Sequence, residues 1–157
     1  MMDPLSFTVS ILTVVGTAGV IGKGLSKIIA LRRAPDILLA LNNEVADLYC
    51  VVQAVDHLIR EHSETTHAAA ITNLCRALEK AQTTLFKLED LIRDGLTIVK
   101  GCDGERKLDR IAWLRSASKV RELKDQFRAD RNDLSSALSL LASYDKMHIP
   151  DVLTGTC

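Results

Sequence analysis

The sequence predicts an all-α fold, an up-and-down bundle of four main helices at about 4–33, 36–62, 66–100 and 118–143, with a short helix near 107–115. Three observations predict it. Apolar residues recur in alternating steps of three and four over long stretches, which is helix spacing. Pro35 and the Gly101–Gly104 segment punctuate those stretches. Aromatic residues are only 4 % of the chain, which argues against an all-β core, and no strand alternation emerges. The 157 residues make one domain with a substantial core, and 47 % hydrophobic with 25 % charged residues is a globular mixture. The bundle is assigned to 1–143, and 144–157, which lack periodicity, to a tail or linker.

The first helix starts at Asp3-Pro4. Asp caps free N–H groups, and Pro fits the first helical position, where its missing donor costs nothing. Lys27, Arg32 and Arg33 place positive charge at its C-terminal end, and Pro35 stops it. Gly22 and Gly24 are expected to bend it. Asp36 caps the second helix, whose seam is Leu38, Leu41, Val45, Leu48, Val52, Val55 and Ile59. The third carries Ile71, Leu74, Leu78, Ala81, Leu85, Leu88 and Ile92. After the turn Gly101-Cys102-Asp103-Gly104, a short helix around Trp113 leads into the fourth. There Val120, Leu123, Phe127, Leu134, Leu138 and Leu141 line one face. Long helices with short connections pack antiparallel around a shared core.

Candidate chemistry is sparse. Lys plus Arg and Asp plus Glu each total 20, so net charge is zero and a nucleic-acid-binding surface is not expected. Gly19-Val-Ile-Gly22-Lys23-Gly24 fails the phosphate-loop pattern at both Thr17 and Gly24; close helix packing is the expected role of these glycines. His57, His62 and His67 are five apart rather than three or four, and His148 stands alone, so no metal site is expected. Glu44 and Asp47 interrupt no apolar seam and are expected to face water. No nucleophile elbow exists, so no catalytic residue, cofactor or enzymatic activity is expected. Cys50, Cys75, Cys102 and Cys157 form no close pair; free thiols in a reducing compartment are expected, with Cys50 and Cys75 as small core residues.

Two features carry functional weight. Leu5 to Gly22 holds 18 residues without a charge, the lower limit for crossing a bilayer. It lacks the basic lead of a secretory signal. Ser6, Ser10, Thr13 and Thr17 form a small-polar stripe; the rest is apolar, so the helix is either deeply buried or destined for lipid. The membrane-insertion candidates are Leu5, Phe7, Val9, Ile11, Leu12, Val14, Val15, Val20 and Ile21. Second, nine cations, Arg106, Lys107, Arg110, Arg115, Lys119, Arg121, Lys124, Arg128 and Arg131, face four acids over 106–131, a local charge of +5. The second helix is −4. Pairing between helices accounts for this contrast most simply; a patch for anionic lipid or for a partner is the functional alternative.

Three passages carry a family resemblance: MDPLSFTVSILTVVGTAG (Met2 to Gly19), ALNNEVADLYCVVQAV (Ala40 to Val55), and the run from Ala112-Trp113-Leu114 through Lys119-Val120-Arg121-Glu122-Leu123 to Leu134–Leu141. Together they resemble the N-terminal HeLo-like domain of fungal STAND, NOD-like receptor proteins, over nearly the whole chain to about Ser143. The resemblance implies a bundle related to the HeLo domain and to the four-helix bundle of the necroptosis pseudokinase. Such domains are cell-death effectors in fungal heterokaryon incompatibility and innate immunity. Their N-terminal helix engages membrane once a downstream region drives oligomerisation. No nucleotide-binding domain follows Ser143 here, so an isolated domain or stand-alone member is expected.

The expected function is therefore a non-enzymatic effector, cytoplasmic with conditional relocation to the plasma membrane, that self-associates or binds a partner signalling protein. Membrane lipid is its conditional partner. The rival reading is a protein-interaction adaptor that never releases its first helix. Gly19→Leu is the expected probe, disturbing close packing while leaving the segment apolar.

Overall fold

A computed structural model describes residues 4–61 and 68–147; of these, the side chains of Pro4, Leu5, Asp145 and Met147 are not described. The elements are α1 (Pro4–Ile29), α2 (Asp36–Glu61), α3 (Ala68–Asp90, continued by one wider π turn, Leu91–Gly95), β1 (Ile98–Lys100), β2 (Arg106–Leu108) and α4 (Arg110–Met147). Asp3, the 62–67 connection and the tail beyond Met147 lie outside the described residues.

Four apolar seams meet in one core. The predicted α2 seam is buried from Leu38 to Val55, and the α3 seam from Leu74 to Leu88. Their outer members Ile59, Ile71 and Ile92 pack half-buried against the same core. On α1 the buried residues are Phe7, Ile11, Val14, Ala18, Ile21, Leu25 and Ile28. Their alternating steps of four and three form a seam as regular as the others. On α4 they are Ser116, Val120, Leu123, Phe127, Asp130, Leu134, Ala137 and Leu141. Leu138, predicted for this face, is half-buried.

Helix direction alternates, as the short connections require. Neighbourhood does not follow chain order: α1 packs on α2 and α3, and α4 packs on the same two helices. Going round the bundle, the order is α1, α2, α4, α3. α2 and α3 therefore stand on a diagonal of the bundle, and α2 lies beside a parallel α4. Two cross-links fix that parallel register: Arg128 reaches Glu44 and Arg131 reaches Asp47, both 84 residues apart.

Element boundaries depart from the sequence reading in four places, one of which is the end of α4: it continues to Met147, so the residues 144–147 assigned to the tail are helical. α1 ends at Ile29, not near residue 33. Leu31 N–H donates to the Ile28 carbonyl and Ala34 N–H to the Leu31 carbonyl, tight turns that reverse the chain. Arg33 sits at φ 62°, the left-handed conformation that terminates helices. α3 ends before residue 100, because Ile98–Lys100 pairs antiparallel with Arg106–Leu108, in register Ile98 with Leu108. The predicted 101–104 turn closes this hairpin, with Gly104 at φ 79° and Gly101 N–H donating to the Glu105 carbonyl. The separate helix near 107–115 does not exist. Asp109 accepts from the Ile111 N–H and caps one continuous α4. At Ser116 the helix is tied to the end of α3, because the Ser116 hydroxyl donates to the Gly95 carbonyl at 3.0 Å. A Cβ at Gly95 would meet the Leu91 side chain at 2.7 Å and the Ser116 hydroxyl at 3.0 Å, so a larger residue there would have to displace both side chains.

The α1 glycines do not serve packing. A Cβ at Gly16, Gly19 or Gly22 would meet nothing within 4 Å. Gly24 lies in ordinary contact distance of Ile92, and α1 continues unbroken through both Gly22 and Gly24. The expectation that Gly19→Leu disturbs packing is therefore corrected. The substitution meets open space and removes a poor helix former, so thermal unfolding is expected to show a gain of about 0.5–1 kcal/mol.

The seam of α4 contains one carboxylate. Asp130 occupies the position between Phe127 and Leu134 and is 1 % exposed. Thr84 of α3 hydrogen-bonds one of its oxygens at 2.5 Å, and Gln126 donates to the other at 3.0 Å. Thr84→Val strips one partner from a buried acceptor, which costs about 1–3 kcal/mol. Thr84→Val with Asp130→Leu removes both ends and is expected to recover much of that loss in chemical denaturation.

Candidate functional site: the outer face of α1 and the basic stretch

The membrane-insertion candidates divide between two faces of α1. Phe7, Ile11, Val14 and Ile21 belong to the core, and Val15 packs half-buried against it. Val9, Leu12 and Val20 point outward, 61 %, 56 % and 63 % exposed. Gly16 and Gly19 are exposed beside them. The Leu5 side chain lies outside the described residues. The outer face is thus a smooth apolar surface without charge until Lys23. Beyond it stand Lys23, Lys27, Arg32 and Arg33, all exposed.

Three hydroxyls on α1 are satisfied within the helix. Ser10 donates to the Ser6 carbonyl at 3.1 Å, Thr13 to Val9 at 2.8 Å, and Ser26 to Gly22 at 2.7 Å. Such back-bonded hydroxyls carry little desolvation cost in an apolar medium. Ser6–Ile29 is long and apolar enough to cross a membrane by length and composition, with 28 % of its apolar window buried in the bundle. Core helices of soluble proteins and signal sequences also meet that criterion.

The basic stretch does not form one patch. Arg106 and Lys107 stand exposed on the hairpin, and Arg110, Arg115, Lys119 and Arg121 are exposed on the first half of α4. Lys124 is partly buried, with Asp125 at 3.8 Å. Arg128 and Arg131 are structural. Arg128 donates through Nε to Glu44 Oε1 at 3.0 Å, with Nη2 2.9 Å from the same oxygen. Arg131 Nη1 lies 3.1 Å from Glu44 Oε2 and donates to Asp47 Oδ2 at 2.7 Å. Glu44, expected to face water, is only 7 % exposed, because the parallel α4 covers it. Inter-helix pairing thus accounts for Arg128 and Arg131. The exposed cations of α4 lie across the bundle from α1, while the hairpin reaches the α1 end through an ion pair between Arg32 and Glu105 at 3.2 Å.

Among the described residues, no group of three His, Cys, Asp or Glu side chains is placed to hold a metal ion. His57 lies 3.4 Å from Glu61; His62, His67 and His148 lie outside the described residues. Cys50 and Cys102 are exposed and Cys75 is buried, all three free; Cys157 is not described. Cys50, read as a core residue, is on the outer face of α2, one step off the seam. Burial, aided by Glu79, pushes the Cys75 thiol above its ordinary value of 9.0. In a Cys157→Ser protein, a thiol reagent near neutral pH is expected to label two cysteines quickly and the third only on unfolding. The neutral Cys75 thiol favours the folded state below pH 9; as pH rises further the unfolded thiol ionises first and stability falls.

No family model matches the chain, and no curated protein or solved structure matches it.

Proposed function

We propose that this domain is a non-enzymatic signalling effector that self-associates and engages membrane lipid through α1, relocating from the cytoplasm to the plasma membrane. One observation carries the reading: the outward face of α1 presents Val9, Leu12 and Val20 on a charge-free, glycine-smoothed surface whose neighbouring hydroxyls are bonded inside the helix. The resemblance of Met2 to Gly19 and the α2 and α4 passages to HeLo-like domains supports the same mechanism, with cell death as its output.

Energetics separate docking from insertion. The outer face binds an interface with α1 still in place, and Lys23, Lys27, Arg32 and Arg33 then lie near anionic headgroups. Full insertion must withdraw Phe7, Ile11, Val14, Ile21, Leu25 and Ile28 from the core. At about 2 kcal/mol each that is about 12 kcal/mol, close to the whole stability of an ordinary domain. Lipid contact with α1, together with association of several copies, offsets that cost. The free monomer stays closed.

The test is co-sedimentation with vesicles of neutral or anionic lipid, with release of an entrapped dye followed in parallel. Binding selective for anionic vesicles, with leakage that steepens with protein concentration, is the expected result. A folded protein that ignores both vesicle types overturns the membrane reading and favours the adaptor alternative, for which α1 never leaves the bundle.

A further inference from the structure

The connection from α1 to α2, residues 30–35, carries Arg32 and Arg33, both exposed. Among the described residues they are the only cations outside helix and strand. Two turn hydrogen bonds close the segment, Leu31 N–H to the Ile28 carbonyl at 3.0 Å and Ala34 N–H to the Leu31 carbonyl at 3.2 Å. Arg33 sits at φ 62°, a left-handed conformation that a side chain disfavours, so extending the backbone there relieves strain. Arg32 is tied to Glu105 across 3.2 Å, with both side chains at least half exposed, and such pairs contribute little. Leu31 packs half-buried against the core and is the anchor that must lift before the segment can extend.

This segment is the covalent link between α1 and a set of helices that hold one another. Arg128 and Arg131 of α4 donate to Glu44 and Asp47 of α2. On the other side of α4, Asp130 and Asp133 accept from Thr84 and Lys80 of α3. α1 meets α2 and α3 through a seam in which every buried residue is apolar. While the chain is intact, an α1 that lifts away stays tethered to α2 at about millimolar effective concentration. Once the link is broken it rebinds only from solution, so at about 1 μM protein the break favours release by about a thousandfold.

We infer that residues 30–35 are a proteolytic processing site, at which an endoprotease with an anionic specificity pocket hydrolyses the Arg33–Ala34 bond and turns α1 into a separable helix. Exposed connections between packed helices are where chains are nicked, because little structure must open to fit an enzyme cleft. A guanidinium at Arg33 suits a carboxylate at the base of such a pocket. The bond from the Arg33 carbonyl carbon to the Ala34 nitrogen breaks; water supplies hydroxide to that carbon and a proton to the new Ala34 amine. The released fragment carries the apolar face of α1 together with Lys23, Lys27, Arg32 and Arg33. Its delivery to lipid rests on the membrane reading above, whereas the cleavage and the separation do not.

The experiment is limited digestion of the whole chain with trypsin under native conditions, followed by intact mass spectrometry, gel filtration and flotation with anionic vesicles. Cleavage after Arg33 is expected to outpace every other cut up to Ser143 by about tenfold or more. Arg32→Gln with Arg33→Gln, both exposed sites, is expected to remove that cut and leave the circular dichroism unchanged. After dilution to about 1 μM the fragment that begins at Ala34 is expected to elute without α1, and α1 to float with the vesicles. A first cut inside one of the helices, or fragments that stay together on dilution and with lipid, would each overturn the inference. Fragments that separate while α1 ignores the vesicles sink the membrane reading and leave the processing site standing.

Discussion

On the proposed membrane reading, replacing Val9, Leu12 and Val20 together with serine is expected to lower affinity for anionic vesicles by about a hundredfold and to leave the fold standing. Each side chain is more than half exposed in the bundle, so its removal takes nothing from the core. Each contributes about 1 kcal/mol when its exposed portion enters the interface, and the three together give about 3 kcal/mol, or two orders of magnitude. Serine keeps the helix, at a few tenths of a kcal/mol per site. The matched control changes the other face: Ile21→Ser removes a side chain that is 2 % exposed, and unfolds or loosens the domain before any lipid is present. Vesicle sedimentation paired with thermal denaturation separates the two. Unchanged binding by the triple variant would assign the lipid contact elsewhere on the surface.

Phe127→Ala is expected to cost about 3–5 kcal/mol in denaturant unfolding, the largest loss from a single truncation in the bundle. Phe127 is the largest fully buried side chain, and its helix packs on both α2 and α3. Truncation leaves a cavity next to the Asp130–Thr84 contact, so the neighbouring carboxylate loses the packed wall that keeps its geometry. The remaining stability lies near the threshold of a domain this size, and the thermal midpoint should fall by about 6–20 °C. A loss below 1 kcal/mol would mean that the four seams do not meet as a close-packed core.

Much of the architecture is legible in residue spacing. The seams of α2 and α3 are read correctly because large aliphatic side chains at heptad spacing permit only one buried face. α1 hides its seam: nearly every residue on it is apolar or small, so periodicity in hydrophobicity vanishes and only contact decides which face is core. The same degeneracy explains why Leu12 and Ile11, adjacent in sequence and alike in chemistry, have opposite environments. Glu44 is misread for the converse reason. A carboxylate is assigned to water by default, and this one is buried by a helix distant in sequence. The hairpin escapes because Thr97-Ile98-Val99-Lys100 lies at the end of a strong helical pattern, although its β-branched run before a Gly-Cys-Asp-Gly turn is a strand signal.

The sequence by itself determines the four main helices, their alternating direction, the 101–104 turn and the charge-free N-terminal segment, because each follows from local spacing, composition or backbone restriction. Only the tertiary structure decides that α4 lies beside a parallel α2 and across from α1. That arrangement is set by which apolar faces fit together and by the Glu44–Arg128 and Asp47–Arg131 pairs. It splits the basic stretch into structural and exposed cations and leaves one side of α1 to the solvent. Local propensities carry no information about a neighbour 84 residues away; packing and charge pairing do.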